Sequence, residues 1–171
     1  GASVADSLAA IKKLVFDEKI VSMPKLLEAL NSNFEGEEYE ELRFLLLTKA
    51  PKFGNDDDYV DLIATEVGRI HCLSYSKYRD PRGGIYTPGM LSNTAGIMFG
   101  EVVAATPDGR RFGESLSDGV SPVAGRDING PTAAFKSVAK LDLVLCPQGA
   151  VLNMKLNSSL LSCLLYTSDA A

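Results

Sequence analysis

Arg110, Arg111 and Arg126, with Asp108, Asp118 and Asp127, form the densest group of charges beside glycines in the chain. Turn amides and guanidinium forks both favour oxyanions, so a phosphate-binding nest is one reading of this group. The other is an internal lattice that fixes the loops. It is the favoured one, because a buried Arg fork is best satisfied by neighbouring carboxylates and carbonyls. Asp56, Asp57 and Asp58 suggest a hard cation, which wants several carboxylate oxygens. Adjacent Asp residues at the start of a helix point in different directions, however, and suit the positive end of the helix dipole, so they read as capping residues. His71 and Cys72 are neighbours in a helical pattern, and their side chains diverge by about 100°, too far to share a metal unaided. With a single histidine in the chain, neither a two-histidine zinc set nor a Ser-His-Asp triad is built with confidence. A buried or half-buried structural role is expected for both, and no residue is assigned a catalytic or metal-binding role.

Rigid turns position these charges. Thr106-Pro107-Asp108-Gly109 puts Pro where φ is held near −65° and Gly where φ is free to be positive, so the chain reverses and delivers Arg110 and Arg111 to a fixed place. A second reversal follows at Asp118-Gly119, and Asn129-Gly130-Pro131 starts an Ala-rich helix. The first half of the chain reads as helices. Val4, Leu8, Ile11 and Val15 share one face of the first. Ser22 caps a second, with Pro24 in its first turn and Leu26, Leu27 and Leu30 as its stripe. Leu42, Leu45 and Leu46 mark a third, stopped before Pro51. Asn55 is expected to cap the longest, where Tyr59, Leu62, Ile63, Val67, Ile70 and Leu73 keep a 3.6-residue period until Pro81 and Gly83-Gly84 break it. The period then changes. Residues 85–91 and 97–104 are short, β-prone and bounded by Gly or Asn, and 150–156 alternates Val151, Asn153 and Lys155 against Leu152, Met154 and Leu156. Helices followed by strands predict an α/β or α+β arrangement without internal repeats.

Seventeen Lys and Arg against 22 Asp and Glu give 171 residues a net charge of −5, which argues against a phosphate-rich partner such as nucleic acid. No apolar run approaches the roughly 18 residues that cross a bilayer, and no leader pattern opens the chain, so no membrane partner and a cytoplasmic location are expected. Cys72 and Cys146 fall far short of a disulfide framework, which fits a reducing compartment.

The segment 105–143, with its Thr-Pro-Asp-Gly-Arg turn, its Gly125-Arg126-Asp127 loop and its Ser137-Val138-Ala139-Lys140 helix in that order, resembles the glycyl radical enzymes, the relatives of pyruvate formate-lyase. GASVADSLAAIKKLVFDEK at the start is similar to a helix of that family, and 148–157 to a barrel strand. The resemblance implies part of a ten-stranded α/β barrel with surrounding helices, a partial barrel domain over 1–161. Residues 162–171 are set apart, because 163–171 resembles the translated read-through of a sequencing-library adapter. Thr106, Pro107, Asp108, Gly109, Arg110, Arg126 and Asp127 are expected to be structural turn residues at the entrance and wall of the barrel. Residues 85–90 form a strand that in the family can line the barrel, so Tyr86 and Met90 are the candidate substrate-binding residues, with a plain core-strand role standing beside that reading. Family members abstract hydrogen with a cysteine in an inner loop and store the radical on a glycine in an Arg-Val-x-Gly-Tyr motif. Neither motif occurs in this sequence, so the chain reads as an internal piece, inactive alone. The implied activity of the parent is radical elimination from a small polar substrate, of the dehydratase or lyase type suggested by Asp118-Gly119-Val120-Ser121-Pro122. Formate C-acetyltransferase is the alternative within the family, and a non-catalytic structural or adaptor module the alternative outside it. The family implies no metal and no cofactor bound by this chain. It implies an activating partner that installs the glycyl radical with S-adenosylmethionine and an iron-sulfur cluster, and a homodimeric parent.

Overall fold

A computed structural model describes residues 1–155, in which six α-helices are joined by turns and loops. The set-apart segment 162–171 and the end of the expected strand, Leu156, lie outside the described residues. The first helix, α1 (Ala2–Ala10), runs directly into a π-helical segment, Ile11–Asp17. Helix α2 (Met23–Asn31) begins as read from the sequence, with the Ser22 side chain accepting from the Lys25 amide and Pro in the first turn. Helix α3 is Glu37–Thr48, and α4, the longest, is Asp58–Tyr75. Asp57 caps α4 by accepting from the Tyr59 amide at 2.9 Å. Asn55 does not cap it; its amide donates instead to Lys52 O and Arg126 O at 3.0 and 2.8 Å, tying the segment before α4 to the loop before α6 (Pro131–Ala139).

Two apolar cores share the first helix. Ala10 and Leu14 enter one core with Leu26, Ala29, Phe34, Leu42 and Leu46. Ala2, Ala5 and Ala9 enter the other with Phe53, Val60, Ala64, Val120, Val123 and Val138. The buried face of α1 is therefore its alanine face, whereas Val4 and Leu8, expected to face inward, are 50% and 44% exposed. Small side chains let α1 approach α4 closely, an advantage that a period count of large residues does not register. Each buried Leu or Phe contributes about 1.5–3 kcal/mol, which offsets the local strain of Phe34, fully buried at φ +59°.

The expected strands are not formed as ladders among the described residues. Residues 97–104 are helical at their start, within α5 (Ala95–Gly100), because Asn93 Oδ1 accepts from the Ala95 amide at 3.0 Å and opens a helical turn. Residues 85–91 and 150–155 make only isolated bridges, Arg79 with Ile85 and Met90 with Ala150. Pro88 lacks an amide hydrogen to extend the pairing. What remains is a three-segment junction. Met90 N donates to Gly149 O at 3.0 Å, Val151 N to Met90 O at 3.0 Å, and Val120 N to Val151 O at 3.1 Å.

Candidate functional site

The turn at Thr106 to Arg110 closes with Gly109 N donating to Thr106 O at 3.0 Å and Thr106 N to Arg110 O at 2.9 Å. Gly109 has φ +92°, and a Cβ there would stand 2.6 Å from Leu47 Cδ2, so the turn needs glycine both for its backbone and for its approach to α3. Helix α3 also clamps the turn with polar groups. Arg43 Nε donates to Gly109 O at 2.9 Å, its guanidinium pairs with Glu114 at 3.2 Å, and Arg111 pairs with Glu40. Arg110 is 2% exposed, and its guanidinium donates to Glu114 O at 2.7 Å, Arg111 O and Val103 O at 2.9 Å, Ala104 O, and Thr106 Oγ1 at 3.2 Å. It is caged by carbonyls rather than paired with aspartates. Asp108, also buried, accepts from the Thr106 hydroxyl and the Arg110 amide. The expected Arg to Asp lattice is thus replaced, among the described residues, by an Arg to carbonyl cage, because the folded-back chain brings more carbonyl oxygens than carboxylates within reach of the fork. Pro107 completes the turn, while Arg126 and Asp127 lie half-buried in the later loop and join no such bond with it.

Below the turn lies a second buried polar pair. Lys52 Nζ donates to Leu46 O at 2.8 Å and Asp108 O at 3.1 Å, while Asp6 accepts from the Phe53 amide at 2.8 Å and leaves Oδ2 without a partner. Burial pushes the Asp6 carboxyl up to about 7, against the pull of the Phe53 amide and of Lys52. Burial likewise brings the Lys52 ammonium down to about 8, against the attraction of Asp6 and Asp108. Sequence reading missed both residues, since an Asp among alanines on a helix and a Lys after Pro51 carry no pattern that marks burial.

The three-segment junction borders two concavities, a cavity and a larger cleft. The cavity, about 310 Å³, is lined by Met90, Gly119, Val120, Val67 and His71 among others. The cleft, about 1040 Å³, is lined by Ser92, Asp118, Asn153 and Arg126 among others. Ser92 Oγ and Asn153 Nδ2 donate to Asp118 Oδ2, and Asn93 N donates to Oδ1 at 3.0 Å, which holds the Asp118 carboxyl below the usual range, the Ser92 bond being the largest cause. Asp118 is thereby an ionised organiser of the junction with its acceptor sites already engaged. Gly119 is required beside it: a Cβ there would fall 2.4 Å from Val151 O. Of the candidate substrate residues, Met90 reaches the cavity, whereas Tyr86 is 46% exposed and outside its lining. His71 is exposed and packs edge to face on Tyr75, and Cys72 is buried. No group of three or more His, Cys, Asp or Glu among the described residues is arranged to hold a metal.

Residues 1–100 match the family described as Pyruvate formate lyase-like, and residues 116–166 match the one described as Glycine radical. This chain belongs to the pyruvate formate lyase-like family. Within it, the chain is 44% identical over 153 residues to the trans-4-hydroxy-L-proline dehydratase of Clostridioides difficile, covering 90% of this chain and 19% of that protein. It is 47% identical over 136 residues to the isethionate sulfite-lyase of Desulfovibrio desulfuricans, covering 79% and 16%. Among solved structures, the B12-independent glycerol dehydratase from Clostridium butyricum superposes with a TM-score of 0.85 at 45% identity, over 90% of this chain and 19% of that one. A glycyl radical enzyme from Archaeoglobus fulgidus gives 0.86 at 39% identity, over 94% and 20%. The chain therefore spans about a fifth of the length of the relatives that it matches. The elements described above, helices joined by turns with isolated bridges, are seen over that fifth.

Proposed function

We propose that the protein carrying this chain is a glycyl radical dehydratase or lyase acting on a small polar substrate. The reading is carried by one observation: over nine-tenths of its length the chain superposes on dehydratases at TM-scores of 0.85 and above with more than two-fifths of residues identical. Residues 1–161 form part of a ten-stranded barrel domain in this reading, with 162–171 set apart by its likeness to an adapter read-through, while the Glycine radical match runs on to residue 166. The junction at Met90, Val120 and Val151 supplies neighbouring barrel strands that lengthen when further segments pair with them. The exposed apolar side chains Ile97, Met98 and Phe99 of α5, with Leu62 and Ile70 of α4, are faces that the rest of the protein covers, which favours an enzyme segment over a free-standing adaptor. The radical itself is supplied by an activating enzyme that uses S-adenosylmethionine and an iron-sulfur cluster. This chain's residues hold walls and turns: Met90 faces substrate with Tyr86 at the outer end of the same segment, Arg110 fixes the turn, and Asp118 keeps the junction closed. The protein is cytoplasmic and acts as a homodimer.

The test is anaerobic activation of the full-length protein by such an activase, followed by electron paramagnetic resonance and a substrate panel of trans-4-hydroxyproline, isethionate, glycerol and 1,2-propanediol. A glycyl radical signal with elimination product from one of them is the expected outcome. A radical signal with conversion of pyruvate alone would move the assignment to formate C-acetyltransferase, and no signal at all would remove the enzyme reading. Resequencing the source locus decides whether 162–171 is replaced by a continuing barrel sequence.

A further inference from the structure

Cys72 stands near the end of α4 and Cys146 just after a 3-10 turn, Leu143–Leu145, and their sulfurs lie 3.1 Å apart although 74 positions separate them in sequence. Both are free thiols, 3% and 4% exposed. A disulfide bond is about 2 Å long, so closing the pair asks for a movement of only about 1 Å. The first half of α4 is already tied to the segment after α6 by Lys140, whose ammonium pairs with Asp58 at 2.7 Å and Asp61 at 2.8 Å. At the last turn of α4 the thiol contact makes the corresponding tie. Beyond Cys146 the chain folds back through Gly149 N donating to Cys146 O at 2.8 Å and then enters the junction with Met90 and Val120.

We infer that Cys72 and Cys146 close to a disulfide when the protein meets a hydroperoxide, fastening α4 to the segment that carries Ala150 and Val151. One sulfur, as thiolate, attacks a peroxide oxygen; the oxygen–oxygen bond breaks, hydroxide leaves as water, and a sulfenic acid forms. The second thiolate attacks that sulfur, the sulfur–oxygen bond breaks, and a second water leaves. Two thiols are oxidised and one hydroperoxide is reduced. The facing thiol intercepts the sulfenic acid before it meets more oxidant, so the reaction stops at the reversible disulfide. Burial and the neighbouring Cys146 sulfur hold the Cys72 thiol well above the usual cysteine range, which keeps the pair reduced through brief exposure and makes closure slow.

The full chain, folded, is treated with hydrogen peroxide, its remaining thiols are alkylated, and its tryptic peptides are mapped. Cleavage after Arg69, Lys77, Lys140 and Lys155 places Cys72, Cys146 and Cys163 on three different peptides. The expected product joins the Cys72 and Cys146 peptides with loss of two hydrogens, is cleaved by dithiothreitol, and raises the melting temperature by several degrees. In urea, chain statistics favour the nearer pair, Cys146 with Cys163, so selective joining of Cys72 to Cys146 reports the fold. Sulfinic or sulfonic acids on Cys72 and Cys146, a cross-link to Cys163 from the folded chain, or full alkylation after treatment would each overturn the inference.

Discussion

At single residues, backbone conformation and buried charge decide the energetics of this chain. Gly109 combines φ +92° with a side-chain wall at Leu47, so Gly109→Val costs about 1–2 kcal/mol for the left-handed backbone and a comparable amount for the crowding. A lower urea midpoint with an unchanged slope is the expected reading, and an unchanged midpoint would contradict the turn. Asp6 gives a prediction in pH. Its folded carboxyl titrates at about 7 against 3.8 for the ordinary value, so between those limits the folded state binds more protons than the unfolded one, and stability falls as pH rises from about 4 to 7. Lys52 acts in the opposite window. Its ammonium titrates at about 8 when folded against 10.5 ordinarily, so the unfolded state binds more protons there and stability climbs from about pH 8 to 10.5. Asp6→Asn, which keeps an acceptor for the Phe53 amide, should flatten the acid-side fall and, by removing the Asp6 attraction on Lys52, start the alkaline rise at a lower pH. Denaturation at a series of pH values checks both limbs.

Elements were legible where a cap, a proline or a sustained period announced them. The α2 start at Ser22 and Pro24, the α3 stripe of Leu42 and Leu46, and the place of α4 as the longest helix follow from local chemistry alone, although α4 starts at Asp58 and ends at Tyr75, inside the limits of Asn55 and Pro81 that the sequence suggests. Faces were less legible, because the partner decides them: α1 buries Ala5 and Ala9 rather than Val4 and Leu8. Strands at 85–91, 97–104 and 150–156 were read from β-prone composition, but a strand exists only against a neighbour, and here the pairing stops at isolated bridges. The turn residues of the candidate site were visible in sequence, whereas the Ser92, Asp118 and Asn153 cluster was not, since it joins three segments distant along the chain. Capping supplies the element-scale prediction. Asp57, not Asn55, accepts from the Tyr59 amide, so Asp57→Ala should destabilise by about 1 kcal/mol through the cap. Comparing Asp57→Ala with Asp57→Asn by thermal unfolding separates the cap from simple charge removal, because Asn also caps well.

At the scale of the whole molecule, the described residues form an acidic set of helices with two cores. The continuous helix from Ala2 through Asp17 is the member common to both cores, with Ala5 and Ala9 in one and Leu14 in the other. A shared rod couples the fates of the compartments it joins. Neither core can melt by itself without withdrawing half of that helix, and a helix of this length is marginal once one of its docked faces is lost. Loss of cooperativity is thereby made costly, and the two cores should unfold in one all-or-none step, with Phe53 and Phe34 losing their environments at the same temperature. Hydrogen exchange gives the sharper version of this expectation: the amides of Ala9 and Leu14 should open with a common free energy, and two well-separated values would mean that the rod breaks at its π-helical segment and that the cores are independent folding units.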